Sequence, residues 1–268
     1  MGNLVSCTSS KKQVNPKNNT RKAQLQKLEK ENEPQPAPEV KGQVHTQEIS
    51  VKEEKEKSVS QAAPVVQYNP LKPISQEDMD SLFYNAHTEH GFTDEPVDPA
   101  ILRKLVELTL LPPSAYNCSP LRVLFITRNS PELKAKLVEC CAAGNRQKCS
   151  EAPVVAILCT DTKYSEKLPY LMPMVQGVQQ IFESDPEVLE ESRVRNGNLQ
   201  AAYFIMAARA LGLGVGPMGG FSNKAVNEAF LADSTWTSNL LINLGYPNVN
   251  KRYPRAPRLP FNESCQVR

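Results

Sequence analysis

PPSAYNCSP, residues 112–120, stands between a run with helical spacing, ILRKLVELTLL (101–111), and a run with strand character, LRVLFIT (121–127). Two prolines end the helix and a third precedes the strand, because proline has no N–H to donate and its ring clashes with a continuing helix. The stretch is therefore expected to be a fixed loop. Ser114, Asn117 and Ser119 bring two hydroxyls and an amide to it. Such small groups can hydrogen-bond the edge of a flat, heteroatom-rich ligand while backbone N–H groups stay exposed. A polar helix-to-strand turn accounts for the same residues, since Ser, Asn and Pro favour turns on their own.

Working outward, Asp98 and Pro99 give the N-cap and first-turn signals of a helix with Ile101, Leu102, Leu105, Val106 and Leu108 inward. Ser75 and Asp78 give a capping-box-like start for an earlier helix carrying Met79, Leu82, Phe83 and Ala86, so order is expected from about Pro73. Ser130 and Pro131 open another helix, expected to reach about Ala142. PVVAILC (153–159) is continuously apolar, which predicts a strand covered on both faces. Residues 161–190 are irregular, with Pro and Met in YLMPMVQ (170–176), and read equally as a cap over a site or a surface insertion. LQAAYFIMAARALGLG (199–214), interrupted mainly by Arg209, predicts a helix buried on all sides, in the core or at a subunit interface. TSNLLINLGY (237–246) is the last expected strand.

The 268 residues divide unevenly. Residues 1–72 are rich in Lys, Glu, Gln, Asn and Pro, and up to residue 70 Tyr68 is the one aromatic. That composition buries too little apolar surface to offset chain entropy, so a disordered tail and linker are expected there, with one domain over 73–268. The opening MGNLVSC meets the myristoylation requirement at Gly2, with Cys7 placed for palmitoylation. The cations Lys11, Lys12, Lys17, Arg21 and Lys22 follow without an acid among them. Together these predict lipid anchoring at the cytoplasmic face of a membrane. No segment has the roughly 20 apolar residues of a membrane span. A net charge of +2 gives no case for nucleic acid, and the seven cysteines show no metal spacing, which fits a reducing cytoplasmic compartment.

The wording of residues 113–120 resembles the PSSxNxQPW-type segment of the nitroreductase family, with Pro113, Ser114, Ala115 and Asn117 in register. It departs at Ser119 and Leu121, where the family has Gln and Trp, and the form ending in NCSP is similar to the malonic semialdehyde reductase branch. Other segments follow in family order. NAHTEHGF (85–92) stands where the family carries an arginine-rich signature for the FMN phosphate, and offers His87, Thr88 and His90 instead, with two surface histidines at the end of a helix as the alternative. Gly144, Asn145 and Lys148 match a Gly-Asn-Lys pattern at the flavin pyrimidine edge, although a solvated lysine fits locally as well. GPMGGF (216–221) places Met218, Gly219 and Gly220 beside flavin N5, with a bare glycine turn as the alternative. Arg252, Arg255 and Arg258 with their prolines could form a basic surface tail, but Arg255 and Arg258 match the family's closing basic segment and could replace the charge missing at His87 and His90.

The resemblance implies an α+β fold, a mixed sheet flanked by helices, in an intertwined homodimer with FMN between the subunits. It implies an NADH- or NADPH-dependent oxidoreductase that reduces a small carbonyl, quinone or nitroaromatic acceptor by a ping-pong route. The flavin carries the chemistry, so no catalytic side chain and no metal are expected. The departure at 87–90 leaves a second reading open: a membrane-tethered pseudoenzyme serving as scaffold or flavin sensor.

Overall fold

The central strand explains the layering. In the computed structural model, which describes residues 71–268, β2 (Val154–Asp161) is buried at every position. Side chains alternate across a strand. Val154, Ala156 and Leu158 enter one hydrophobic cluster, while Val155, Ile157 and Cys159 enter another on the opposite face. A run apolar at both parities is what two covered faces require.

β1 (Leu121–Thr127) and β4 (Trp236–Gly245) flank β2, and β3 (Gly214–Met218) pairs with the outer side of β4. The order is β1-β2-β4-β3, and every neighbouring pair is antiparallel. The parallel component of the expected mixed sheet is a single bridge, Thr88 to Val215, on the β3 edge.

The helices divide between the faces. α1 (Gln76–Met79) is capped by Ser75 and runs into a π-turn at Asp80–Tyr84; Phe83, expected inward, is 50% exposed. α2 (Pro99–Leu110) begins at the Asp98 cap and buries Leu102, Leu105 and Thr109. α3 (Pro131–Cys140) ends two residues short of Ala142, and its N-terminus has no side-chain cap from Ser130. α4 (Ala143–Glu151) occupies a stretch that carries no apolar period. Residues 161–190, read as irregular, form a 3₁₀ turn at Tyr164–Lys167 and the short helices α5 (Leu168–Leu171) and α6 (Val178–Glu183) around Cys118, Tyr164 and Phe182.

α7 (Pro186–Ala210) is the long core helix, and it begins 13 residues before Leu199. Its N-terminal half is polar in sequence, yet Ser192 and Asn196 are buried there, as is Gln200 within the apolar half. Gly197 lets it approach the sheet, since a Cβ there would lie 2.3 Å from the Thr160 methyl. α8 (Asn223–Phe230) and the terminal α9 (Phe261–Ser264) complete the set. Gly2, Cys7 and the basic block, with nearly all of the expected tail, lie outside the described residues. Among the described residues no helix is long and apolar enough to cross a membrane.

Candidate binding site

Residues 85–92 form a strap along the β3 edge. Glu89 donates its N–H to the Val215 carbonyl at 2.8 Å, and the strap can lie this close because residue 216 is glycine: a Cβ there would sit 2.7 Å from the Glu89 carbonyl oxygen. From the other side the C-terminal arm, residues 252–260, crosses the strap without helix or strand of its own. Arg252 grips the buried Glu89 carboxylate with bonds of 2.7, 3.0 and 3.1 Å. Tyr253 meets the His90 ring edge-on at 4.7 Å, and Arg255 donates to the carbonyls of Phe83, Tyr84 and Ala86.

Between strap and arm lies a cavity of about 370 Å³, lined by His87, Thr88, His90, Arg209, Arg255 and Arg258 among others. The sequence-predicted cations of the arm and the histidines of the strap thus meet at one place. Arg209, read only as a break in an apolar helix, joins them from the last turn of α7. Its Nε is buried without a partner, and so is His90 Nδ1. Burial, and then the neighbouring Arg255 charge, lowers the Arg209 pKa, yet a guanidinium stays cationic. Burial, and then the Lys148 cation, lowers the His90 pKa, while Glu89 pulls it upward. Three arginines and two histidines, two of whose buried nitrogens have no partner, make a donor set suited to a multiply charged anion.

A second group of the expected site residues gathers where α4 meets the turn after β3, and none of them lines the cavity. Asn145, in the first turn of α4, donates to the Gly220 carbonyl at 3.0 Å, and the Ala142 N–H reaches the same oxygen at 2.9 Å. A Cβ on Gly220 would lie 2.7 Å from the Asn145 amide nitrogen, whereas around Gly219 the space is open. Met218 is buried, with its sulfur facing the Asn243 amide. Lys148, in the last turn of α4, lies close enough to His90 to act on its protonation.

The 112–120 loop behaves differently. The Ala115 N–H donates to Asn196 Oδ1 at 2.8 Å, the Asn117 amide donates to the Leu171 carbonyl at 2.9 Å, and Ser114 Oγ accepts the Ser119 N–H at 3.1 Å. Leu121 N–H, just beyond, donates to buried Gln200. The side chains of Ser114 and Asn117, expected to be free for a ring's edge, are thus already engaged by their own chain. Pro113 and Ala115 remain exposed. Tyr116, Asn117 and Ser119 have φ of 50°, 54° and 36°, left-handed values that bulky side chains adopt under constraint. None of the loop's residues lines the cavity. Asn196, Gln200 and Glu89 were not singled out from sequence, and Arg252 was read only as part of the closing basic run. A polar residue at helical spacing within the run into an apolar helix was the available signal for the first two.

A family profile described as Nitroreductase family matches residues 84–246. A Stenotrophomonas maltophilia protein provisionally named NADH dehydrogenase/NAD(P)H nitroreductase is 44% identical over 189 residues, covering 70% of this chain and 95% of that one. A nitroreductase-family structure from Streptococcus pneumoniae superimposes with a TM-score of 0.61 at 25% identity, over 71% of this chain and all of that one. A nitroreductase from Exiguobacterium sibiricum, solved in complex with FMN, shares the fold with a TM-score of 0.63 at 22% identity, over 74% of this chain and all of that one.

Proposed function

This chain belongs to the nitroreductase family, and we propose that it is an FMN-dependent NAD(P)H oxidoreductase reducing a small carbonyl, quinone or nitroaromatic acceptor by a ping-pong route. The observation that carries the flavin assignment is the strap-and-arm cavity with its unpartnered Arg209 Nε and His90 Nδ1. A dianionic phosphate fits that donor set, because buried cationic donors gain most from an anion that supplies several acceptor oxygens. Arg209, Arg258 and His87 would hold the phosphate, and Arg255 would add charge while fixing the strap. When bound, FMN supplies hydride transfer between NAD(P)H and the acceptor. Lys148 offers a cation that stabilises negative charge at the flavin's polar edge, and Gly219 leaves room for a flat ring against the backbone.

The 112–120 loop does not reach this cavity within one chain, and Leu110, Leu111, Tyr116, Leu199 and Tyr203 are exposed apolar residues near it in sequence or on α7. These features favour a homodimer in which a second copy brings its loop to the site. We also propose, from the sequence motif alone, membrane attachment through Gly2 and Cys7, which a shift of Gly2→Ala protein to the soluble fraction would test. For the flavin reading, apoprotein titrated with FMN should bind one flavin per chain, and NADPH or NADH should bleach it anaerobically. A full chain that takes up no flavin would contradict the proposal.

A further inference from the structure

We infer that the Glu89–Arg252 ion pair is a positioning device for the cavity: it anchors the arginine-bearing arm and keeps the Glu89 charge away from an anionic ligand. The inference rests on the flavin-phosphate reading above. Glu89 is only 3% exposed and sits between Thr88 and His90, which both line the cavity. A carboxylate at that point acts against phosphate binding unless a cation neutralises it, because like charges at short range in a partly buried site are poorly screened. Arg252 neutralises it with the two-pronged geometry available to a guanidinium, through Nε at 3.0 and 3.1 Å and a terminal nitrogen at 2.7 Å.

The pair also sets where the arm lies. Residues 252–260 have no regular hydrogen-bonded structure, and Tyr253, Arg255 and Arg258 are exposed, so little apolar burial fixes them. Arg252 is the arm's first residue and the one joined to a buried partner. The following Tyr253 and Arg255 then fall against His90 and the strap carbonyls. The strap is in turn tied to β3 through the Glu89 N–H. Glu89 therefore links sheet, strap and arm through one residue, its backbone on one side and its carboxylate on the other.

The test compares FMN with riboflavin, which lacks the phosphate, by flavin fluorescence in titrations of the full-length apoprotein. Arg252→Ala should weaken FMN about tenfold or more while changing riboflavin by less than about threefold. Adding Glu89→Gln to Arg252→Ala should restore at least about threefold of the FMN affinity, since the uncompensated charge is gone. A purely structural role would lower both flavins alike and would gain nothing from the double change, and either result overturns the inference. If Arg252→Ala does not fold, Arg252→Gln, which also removes the charge, reads the same ratio: a reduced preference for FMN is expected, and a wild-type preference overturns the inference. Wild-type protein that binds neither flavin would overturn the flavin reading itself, whereas an unchanged preference in Arg252→Ala overturns the positioning pair alone.

Discussion

The cavity between strap and arm and the loop at 112–120 are built on opposite plans. In the loop, Ser114, the Ala115 N–H and the Asn117 amide already have partners within the chain, and three left-handed residues fix its path. In the cavity, cationic side chains converge and two buried nitrogens have no partner. The loop's polar groups thus hold shape, while the cavity's polar groups keep binding capacity in reserve. A motif that is specific in wording can owe its residues to geometry, and a segment that departs from its family's wording can still sit where the charge is needed.

The comparison breaks most sharply at Arg209. Replacement by Met keeps a long apolar stem and removes the donors, and should weaken FMN about 100-fold, as loss of one or two charge-assisted hydrogen bonds implies. The apoprotein should melt no lower than wild type, because a buried cation lacking a full set of partners is itself costly. Flavin titration and thermal melting read the two effects separately. An FMN affinity within threefold of wild type would move the phosphate away from this cavity.

On the loop side, Asn196→Ala should destabilise the fold by about 1–3 kcal/mol in urea denaturation, because the buried Asn196 amide holds the Ala115 N–H and the Ser192 carbonyl together. Its effect on the FMN-over-riboflavin preference should be small, since none of the loop's residues lines the strap-and-arm cavity. A changed preference with unchanged stability would reverse the roles assigned to the two regions.

These two residues also mark where the sequence was legible. β2 and the Asp98 cap of α2 could be read directly, because continuous hydrophobicity and a capping pair depend on neighbours in the chain. The N-terminal half of α7 could not. Its buried face is made of Ser192, Asn196 and Gly197, and Asn196 meets the Ala115 N–H 81 positions away, so its burial leaves no hydrophobic period. α4 was missed for a related reason, since AGNRQKCSE buries little beyond Cys149. At the site, Arg255, Arg258 and the 87–90 segment were found by pattern. Arg209 looked like a flaw in an apolar helix, and Glu89 with Arg252 form a pair separated by 163 positions.

A finer cut within the cavity compares Arg258→Ala with His87→Ala. Arg258 donates only to the Ala256 and Pro257 carbonyls of its own segment, so it is free to turn to a ligand. Its loss should weaken FMN roughly tenfold or more, and that of His87 less, because a guanidinium fork gives phosphate two charge-assisted bonds where an imidazole ring gives one. The opposite order in parallel titrations would return the main phosphate contact to the strap.

The smallest expected effect is on pH. His90's folded pKa is lowered, mainly by burial and then by Lys148, so between that value and about 6.5 the unfolded chain binds the extra proton. Stability from this group is therefore full above about 6.5 and declines as pH falls through that window. Bound phosphate favours the imidazolium and should reduce the decline. Melting curves from pH 7.5 to 5 with and without FMN, repeated for His90→Asn, would show it; an identical slope in the variant would rule His90 out as the source.

The most direct test of the cavity's role is the ratio of riboflavin to FMN dissociation constants for the full-length wild-type protein at two salt concentrations. A phosphate held by Arg209, Arg258 and their neighbours predicts FMN bound roughly 100-fold more tightly, with an advantage that narrows as salt screens the charges. Equal affinities, or a preference indifferent to salt, would contradict the account.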